Sequence, residues 1–223
     1  MCFSATASFA LGGVLVPIGV VALVKARQSG WQWLPFALYP LAFGLQQICE
    51  GFVWIAMQNS DPDMLFCSSR GFLFYSHFFW PALAPISVWA CEPDQKRKRW
   101  LGWLSVIGVL YGLLIYLPSV LIPGWTIVEI AERSLVYKTP ELYDYPITRL
   151  MTRVVYAAIV LGALFSSTRN AVRVFALLIA VSLGLTFAFF AYAFISVWCF
   201  FAAILSIYLL GMILRKAGRA APS

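Results

Sequence analysis

The chain has 223 residues, of which 62% are hydrophobic and 11% charged, and its mean hydropathy is +0.85. That composition is too apolar for a soluble globular domain and fits a single multi-pass membrane domain over residues 1–223. The net charge of +7 would suggest nucleic acid in a soluble protein, but here the basic residues sit in short loops between apolar runs, where they set orientation, so nucleic acid is excluded as a partner.

Seven apolar spans of about twenty residues, the length that crosses a hydrocarbon core, are predicted in chain order. The first covers 5–24; no charged side chain precedes it, unlike a secretory signal peptide, so it is expected to stay in the protein. The second, 34–57, contains FGLQQICEGFVW (Phe43 to Trp54), which puts Gln46, Gln47 and Glu50 inside an otherwise apolar run. A carboxylate there is costly unless partnered, which points to a polar site or to a group that glues helices together. Gln46, Glu50 and Trp54 are spaced i, i+4, i+8 and Gln47 lies three before Glu50, so all four share a helix face.

The third span, 71–90, carries Ser76 and His77 near its start, and the fourth covers 100–122. The loop that follows is long for a bundle. Its β-rich halves, Trp125 to Ile130 and Ser134 to Lys138, flank Glu132 and Arg133 and predict either a small external β-hairpin between helices four and five, although Asn-Gly or Asp-Gly turn chemistry is missing, or an irregular connection. Such a hairpin would lie over the outer mouth as a lid. The fifth span, 148–166, opens on Arg149 and Arg153. The sixth, 172–190, and seventh, 194–214, form one nearly continuous apolar stretch about twice one membrane thickness long, which must turn back near residues 191–196.

Loop charge tests the count. With seven spans, Lys25, Arg27, Lys96 to Arg99, Arg169, Arg173, Arg215, Lys216 and Arg219 fall on one side, while the other side mixes basic with acidic residues. The positive-inside rule then gives an all-α seven-transmembrane-helix bundle with its N-terminus outside and its C-terminus cytoplasmic. The localisation that follows is integral membrane, in the bacterial cytoplasmic membrane, with the lipid bilayer as partner.

This orientation gathers polar residues in the outer half. Glu50 lies about 10 Å below the outer end of its span. Ser76 and His77, Ser196, Trp198 and Cys199, Arg149 and Arg153, and Cys2 come to similar depth, so Glu50 and His77 could meet across antiparallel neighbours. Glu50, His77 and Cys2 are the candidate catalytic groups, with Gln46, Gln47, Trp54, Ser76, Arg149, Arg153, Trp198 and Cys199 as ligand-binding candidates. Cys2, if Met1 is removed, would carry thiol and α-amine together, a nucleophile with its own base; it could instead pair with Cys67 or simply pack. His77 is the single histidine, which excludes multi-histidine metal and haem sites within one chain. No cofactor is predicted; a zinc site from Cys2, Glu50, His77 and Cys199 is allowed by ligand type but has no supporting spacing motif.

The string MCFSATASF at Met1 to Phe9, FGLQQICEGFVW, the lone His77 and SVWCFFAA at Ser196 to Ala203 resemble an uncharacterised bacterial multi-pass membrane family, a domain of unknown function. The resemblance implies a seven-helix membrane fold and no established activity. The expectation is a buried polar pocket in the outer half of the bundle that binds or processes a small molecule or lipid; transporter, sensor and structural-partner readings stay open, as does oligomeric state.

Overall fold

The structure, a computed structural model, describes residues 4–132, 134–138 and 146–220, without the side chains of residues 146, 147, 149 and 216–220. Cys2, Arg133 and the Arg149 side chain therefore lie outside the described residues.

The described helices form seven rods whose ends are written in local chemistry. α1 (Ala5–Ser29) begins where Ser4 Oγ accepts the Ala7 amide hydrogen at 3.2 Å, and it stops at Gly30, whose φ of 111° suits a residue without Cβ. A 3₁₀ turn (Trp31–Trp33) leads into α2 (Leu34–Asn59). Ser60 then takes a left-handed φ of 52°, Asp61 caps the next helix by accepting the Met64 amide hydrogen at 2.9 Å, and Pro62 fills its first turn. These consecutive stop, cap and start signals make the third rod begin at Pro62, well before the residue 71 expected from apolarity.

That rod is α3 (Pro62–Leu73), a π-helical segment (Phe74–Phe79) and α4 (Trp80–Cys91). Pro81 explains the π segment: it has no N–H to return to the carbonyl four residues back, and the Trp80 amide reaches Tyr75 O, five back. α5 (Gln95–Leu121), capped by Asp94 through the Arg97 amide at 2.8 Å, likewise starts before the expected residue 100. β1 (Ile127–Ala131) and β2 (Ser134–Lys138) pair antiparallel with Ala131 opposite Ser134, the hairpin the sequence predicts. α6 (Pro146–Phe165) and α7 (Asn170–Phe189) follow; a 3₁₀ turn (Ala191–Ala193) falls where the long apolar stretch was expected to turn, and α8 (Phe194–Leu205) and α9 (Ile207–Ala220) complete the last rod.

α2 is the hub, packed against α1, α3, α4, α8 and α9. Its approach to α1 is close enough that a Cβ on Gly19 would lie 2.3 Å from Leu41 N, and α5 meets the third rod so closely that a Cβ on Gly108 would lie 2.1 Å from Pro81 O. Small residues at helix crossings are how apolar helices gain packing where lipid tails compete for the same contacts. Four rods, α1, α5, α7 and Ala191–Arg215, are long and apolar enough by length and composition to cross a membrane. That pattern suggests an integral membrane protein.

At the end of the bundle away from the hairpin, Glu92 is buried and accepts from the Thr168 amide at 2.9 Å and the Thr168 hydroxyl at 2.8 Å, tying the end of α4 to the α6–α7 loop. Arg97 Nη1 and Arg173 Nε donate to Ser166 O and Ser167 O of the same loop.

Candidate functional site

Two polar groupings occupy the hairpin half of the molecule. The first is on α2. Gln46, Gln47 and Glu50 are fully buried, as their shared face predicts. Glu50 Oε1 accepts from Ser196 Oγ of α8 at 2.5 Å, and Glu50 Oε2 accepts from Gln47 Nε2 at 3.2 Å. Gln46 Oε1 accepts from the Trp80 indole N–H of α4 at 2.8 Å. One helical face thus bonds two neighbouring rods, giving the Glu50 carboxyl and Gln46 Oε1 donors that hydrocarbon cannot supply.

The second grouping surrounds a cavity of about 360 Å³ beneath the hairpin, within the usual range for a small-molecule pocket. Trp125, Glu129, Tyr137 and Lys138 line its hairpin side; Ser76 and His77 of the π segment, Tyr111 of α5, Thr152, Arg153 and Tyr156 of α6, Tyr192, and Ile195, Trp198 and Cys199 on the last rod line the rest. His77 reaches it because the π segment turns the rod at that level; its Nδ1 lies 2.9 Å from Ser76 Oγ. The Arg153 guanidinium sits over the Phe194 ring, 4.6 Å from its centroid, a cation–π contact that fixes a long side chain at the rim. Tyr111 donates to Thr152 O at 2.8 Å, and the rings of Tyr156 and Trp198 meet edge to face at 5.5 Å.

The hairpin is held as a roof. Val128 and Leu135 pack on Val53 and Trp54 of α2, Tyr137 stacks on Phe72 with ring centroids 4.8 Å apart, and Lys138 pairs with Glu129 across the strands at 2.5 Å.

Of the residues singled out in the sequence, Ser76, His77, Arg153, Trp198 and Cys199 line this cavity. Glu50, Gln46, Gln47 and Trp54 do not. Glu50 and Gln46 stand behind the cavity wall as polar neighbours of Cys199, while Trp54 is in the apolar contact under the hairpin. The expected meeting of Glu50 and His77 is replaced by separate hydrogen bonds, Glu50 with Ser196 and Gln47, His77 with Ser76. Cys67 is an exposed free thiol on α3, and among the described residues no three His, Cys, Asp or Glu side chains gather as a metal-ligand group. Sequence reading missed Tyr111, Thr152, Tyr156 and Tyr192, aromatic or hydroxyl residues in apolar runs that carry no spacing signal. Glu129, Tyr137 and Lys138 were signalled only by the hairpin's expected position over the mouth.

A family profile described as "Family of unknown function (DUF6629)" matches residues 1–223. The chain belongs to this family. No curated protein and no solved structure matches it. Because the match to DUF6629 runs the full length, the α2 polar face, the π segment and the hairpin all fall within the family's domain.

Proposed function

We propose that this member of DUF6629 is a seven-span protein of the bacterial cytoplasmic membrane, with its N-terminus and hairpin outside, that binds a small molecule or lipid in the cavity beneath the hairpin. The observation that carries the reading is the cavity itself: about 360 Å³ of space roofed by a packed hairpin, with aromatic walls and a few polar groups at one level. Loop charge supports the orientation, since the Glu92 end carries Lys96 to Arg99, Arg169 and Arg173. Native mass spectrometry of the protein released from lipid nanodiscs tests the binding. The expected result is a retained small molecule that is lost from Arg153→Ala and His77→Ala while the fold survives. Retention by both variants would sink the reading.

A second reading, hydrolysis of an ester within the same cavity, is favoured by one observation: Ser76 Oγ and His77 Nδ1 are 2.9 Å apart on its wall, the contact a nucleophile and its base make. Release of p-nitrophenol from short-chain esters, abolished by Ser76→Ala, distinguishes it from binding alone. Transport is less well supported, because the smaller space deeper in the bundle is lined by apolar and aromatic side chains.

A further inference from the structure

At the end of the bundle opposite the hairpin, three arginines gather around the loop of residues 166–169 between α6 and α7. Arg97 of α5 donates through Nη1 to Ser166 O at 2.8 Å, and Arg173 of α7 donates through Nε to Ser167 O at 2.7 Å. The guanidinium of Arg169, in the loop itself, lies over the Trp33 ring, 5.7 Å from its centroid. Capping the end of α6 accounts for only part of this. Each carbonyl takes one N–H of a guanidinium that has five, and Arg169 Nε is buried with no hydrogen-bond partner among the described residues.

The acids beside the loop do not neutralise it. Glu92 accepts from the Thr168 amide and hydroxyl and from the Asp94 amide, and Asp94 accepts from the Arg97 amide. Among the described residues the one ion pair is Lys138 with Glu129, at the hairpin end, so none of the three guanidiniums is paired with a carboxylate. Their other surroundings are apolar. Leu177, Val181 and Leu185 follow Arg173 at successive turns on the outward side of α7, and all four are exposed. At 1.5 Å per residue that strip is about 18 Å long, close to one leaflet of a hydrocarbon core about 30 Å thick. Trp31 and Trp100, both exposed, and Trp89, which carries Lys98 Nζ 5.2 Å from its ring centroid, stand at the same end, the level where tryptophan settles between hydrocarbon and water.

Resting on the membrane placement proposed above, and not on the cavity, we infer that this end of the protein holds an anionic phospholipid, its phosphate among Arg97, Arg169 and Arg173 and its acyl chains along Leu177, Val181 and Leu185. The planar guanidinium matches phosphate oxygens, and the headgroup brings the negative charge that the arginines lack. A zwitterionic lipid also has a phosphate but adds a further cation to a cationic cluster. A free phosphate or an acidic peptide would leave the apolar strip below Arg173 unused. The lipid alone matches both the charge and what lies beneath it.

The test is native mass spectrometry of the full chain in detergent, titrated with dioleoyl phosphatidylglycerol and dioleoyl phosphatidylcholine, which share acyl chains and differ in head charge. One retained phosphatidylglycerol is expected, bound roughly tenfold or more tighter than phosphatidylcholine. Replacing Arg97, Arg169 and Arg173 together by glutamine keeps an amide donor for the loop carbonyls and is expected to bring that ratio below about threefold. The triple variant Arg27→Gln, Lys96→Gln, Arg99→Gln removes the same net charge from the same end and should change the ratio less than about twofold. If the first triple variant does not fold, Arg169→Gln alone is expected to lower the ratio about threefold.

Equal affinity for the two lipids, or an equal loss in the two triple variants, would overturn the site while leaving the protein in the bilayer. Displacement of phosphatidylglycerol by inorganic phosphate would give the arginines to a free phosphate, and displacement by hexaglutamate would give them to an acidic protein; either overturns the lipid. Release of the full chain from membranes by alkaline carbonate would remove the membrane reading itself and this inference with it.

Discussion

Ser196 on α8 donates a 2.5 Å hydrogen bond to Glu50 on α2, joining two fully buried polar residues 146 positions apart in the chain. The bond makes α2 the fastener of the bundle rather than a wall of the cavity. Ser196→Ala is expected to cost about 1–2 kcal/mol, because it leaves a buried carboxyl oxygen without this donor. Glu50→Leu should cost more than Glu50→Gln, since glutamine can still accept from the serine. A double-mutant cycle on Ser196→Ala and Glu50→Gln, followed by unfolding in mixed micelles, should return a coupling energy above about 0.5 kcal/mol. Strict additivity would show that the two groups do not act together.

Two glycines in similar helices should respond in opposite ways. A Cβ at Gly108 would overlap the backbone oxygen of Pro81, which cannot move without displacing the third rod, so Gly108→Ala is expected to destabilise by about 1–3 kcal/mol or more. A Cβ at Gly184 on α7 would meet open space, with nothing packed within 4 Å of it among the described residues, and Gly184→Ala should be neutral or stabilise by up to about 1 kcal/mol through helix propensity. Thermal unfolding of the two variants side by side checks both, and a neutral Gly108→Ala would mean that α5 does not seat where described.

Glu92 offers a test at the opposite end. It accepts both hydrogen bonds from Thr168, so Glu92→Ala should lower stability by about 1–2 kcal/mol and speed hydrogen exchange at the Thr168 amide. Unchanged exchange at that amide would show that the carboxylate is not its partner in solution.

The hairpin turn is built against local preference. Ala131 and Ser134 pair directly, leaving a two-residue connection, and Glu132 adopts a φ of 51° that a residue with a bulky side chain disfavours. Glu132→Gly or Glu132→Asn should therefore slow amide exchange in the hydrogen-bonded pair Glu129 and Val136 by a factor of about two to five, equivalent to roughly 0.5–1 kcal/mol. Faster exchange would point to a different turn.

Much of this arrangement could be read in the sequence because it rests on periodicity. Gln46, Gln47 and Glu50 announce a buried polar face by their spacing, and the alternating β-rich halves around Glu132 announce the hairpin. Other features rest on long-range geometry. Nothing near Glu50 names Ser196 as its donor, and the tyrosines of the cavity wall look like any aromatic residue in an apolar helix. The early start of the third rod was legible in principle, since Ser60, Asp61 and Pro62 form a stop, a cap and a first-turn proline, but a hydropathy window passes over a polar first turn. Glu92 is similar: an acid beside a basic run looks solvated until the fold brings Thr168 to it.

The π segment has a consequence for how this chain can tolerate insertion and deletion. Its Tyr75 to Trp80 hydrogen bond accommodates one residue more than an α-helical turn would, so the segment absorbs an extra residue within the third rod. Removing one residue between Phe74 and Phe79 would let the turn close as α-helix with Phe72 and Trp80 on their present faces, whereas removing a second would rotate everything before it by about 100° relative to Trp80 and α4. After the second removal Phe72 would leave Tyr137 while Trp80 kept Gln46, severing the roof from the hub in register rather than in contact strength. A gap of two residues inside Phe74–Phe79 would therefore mark a chain whose hairpin docks on a different face, and a gap of one would not.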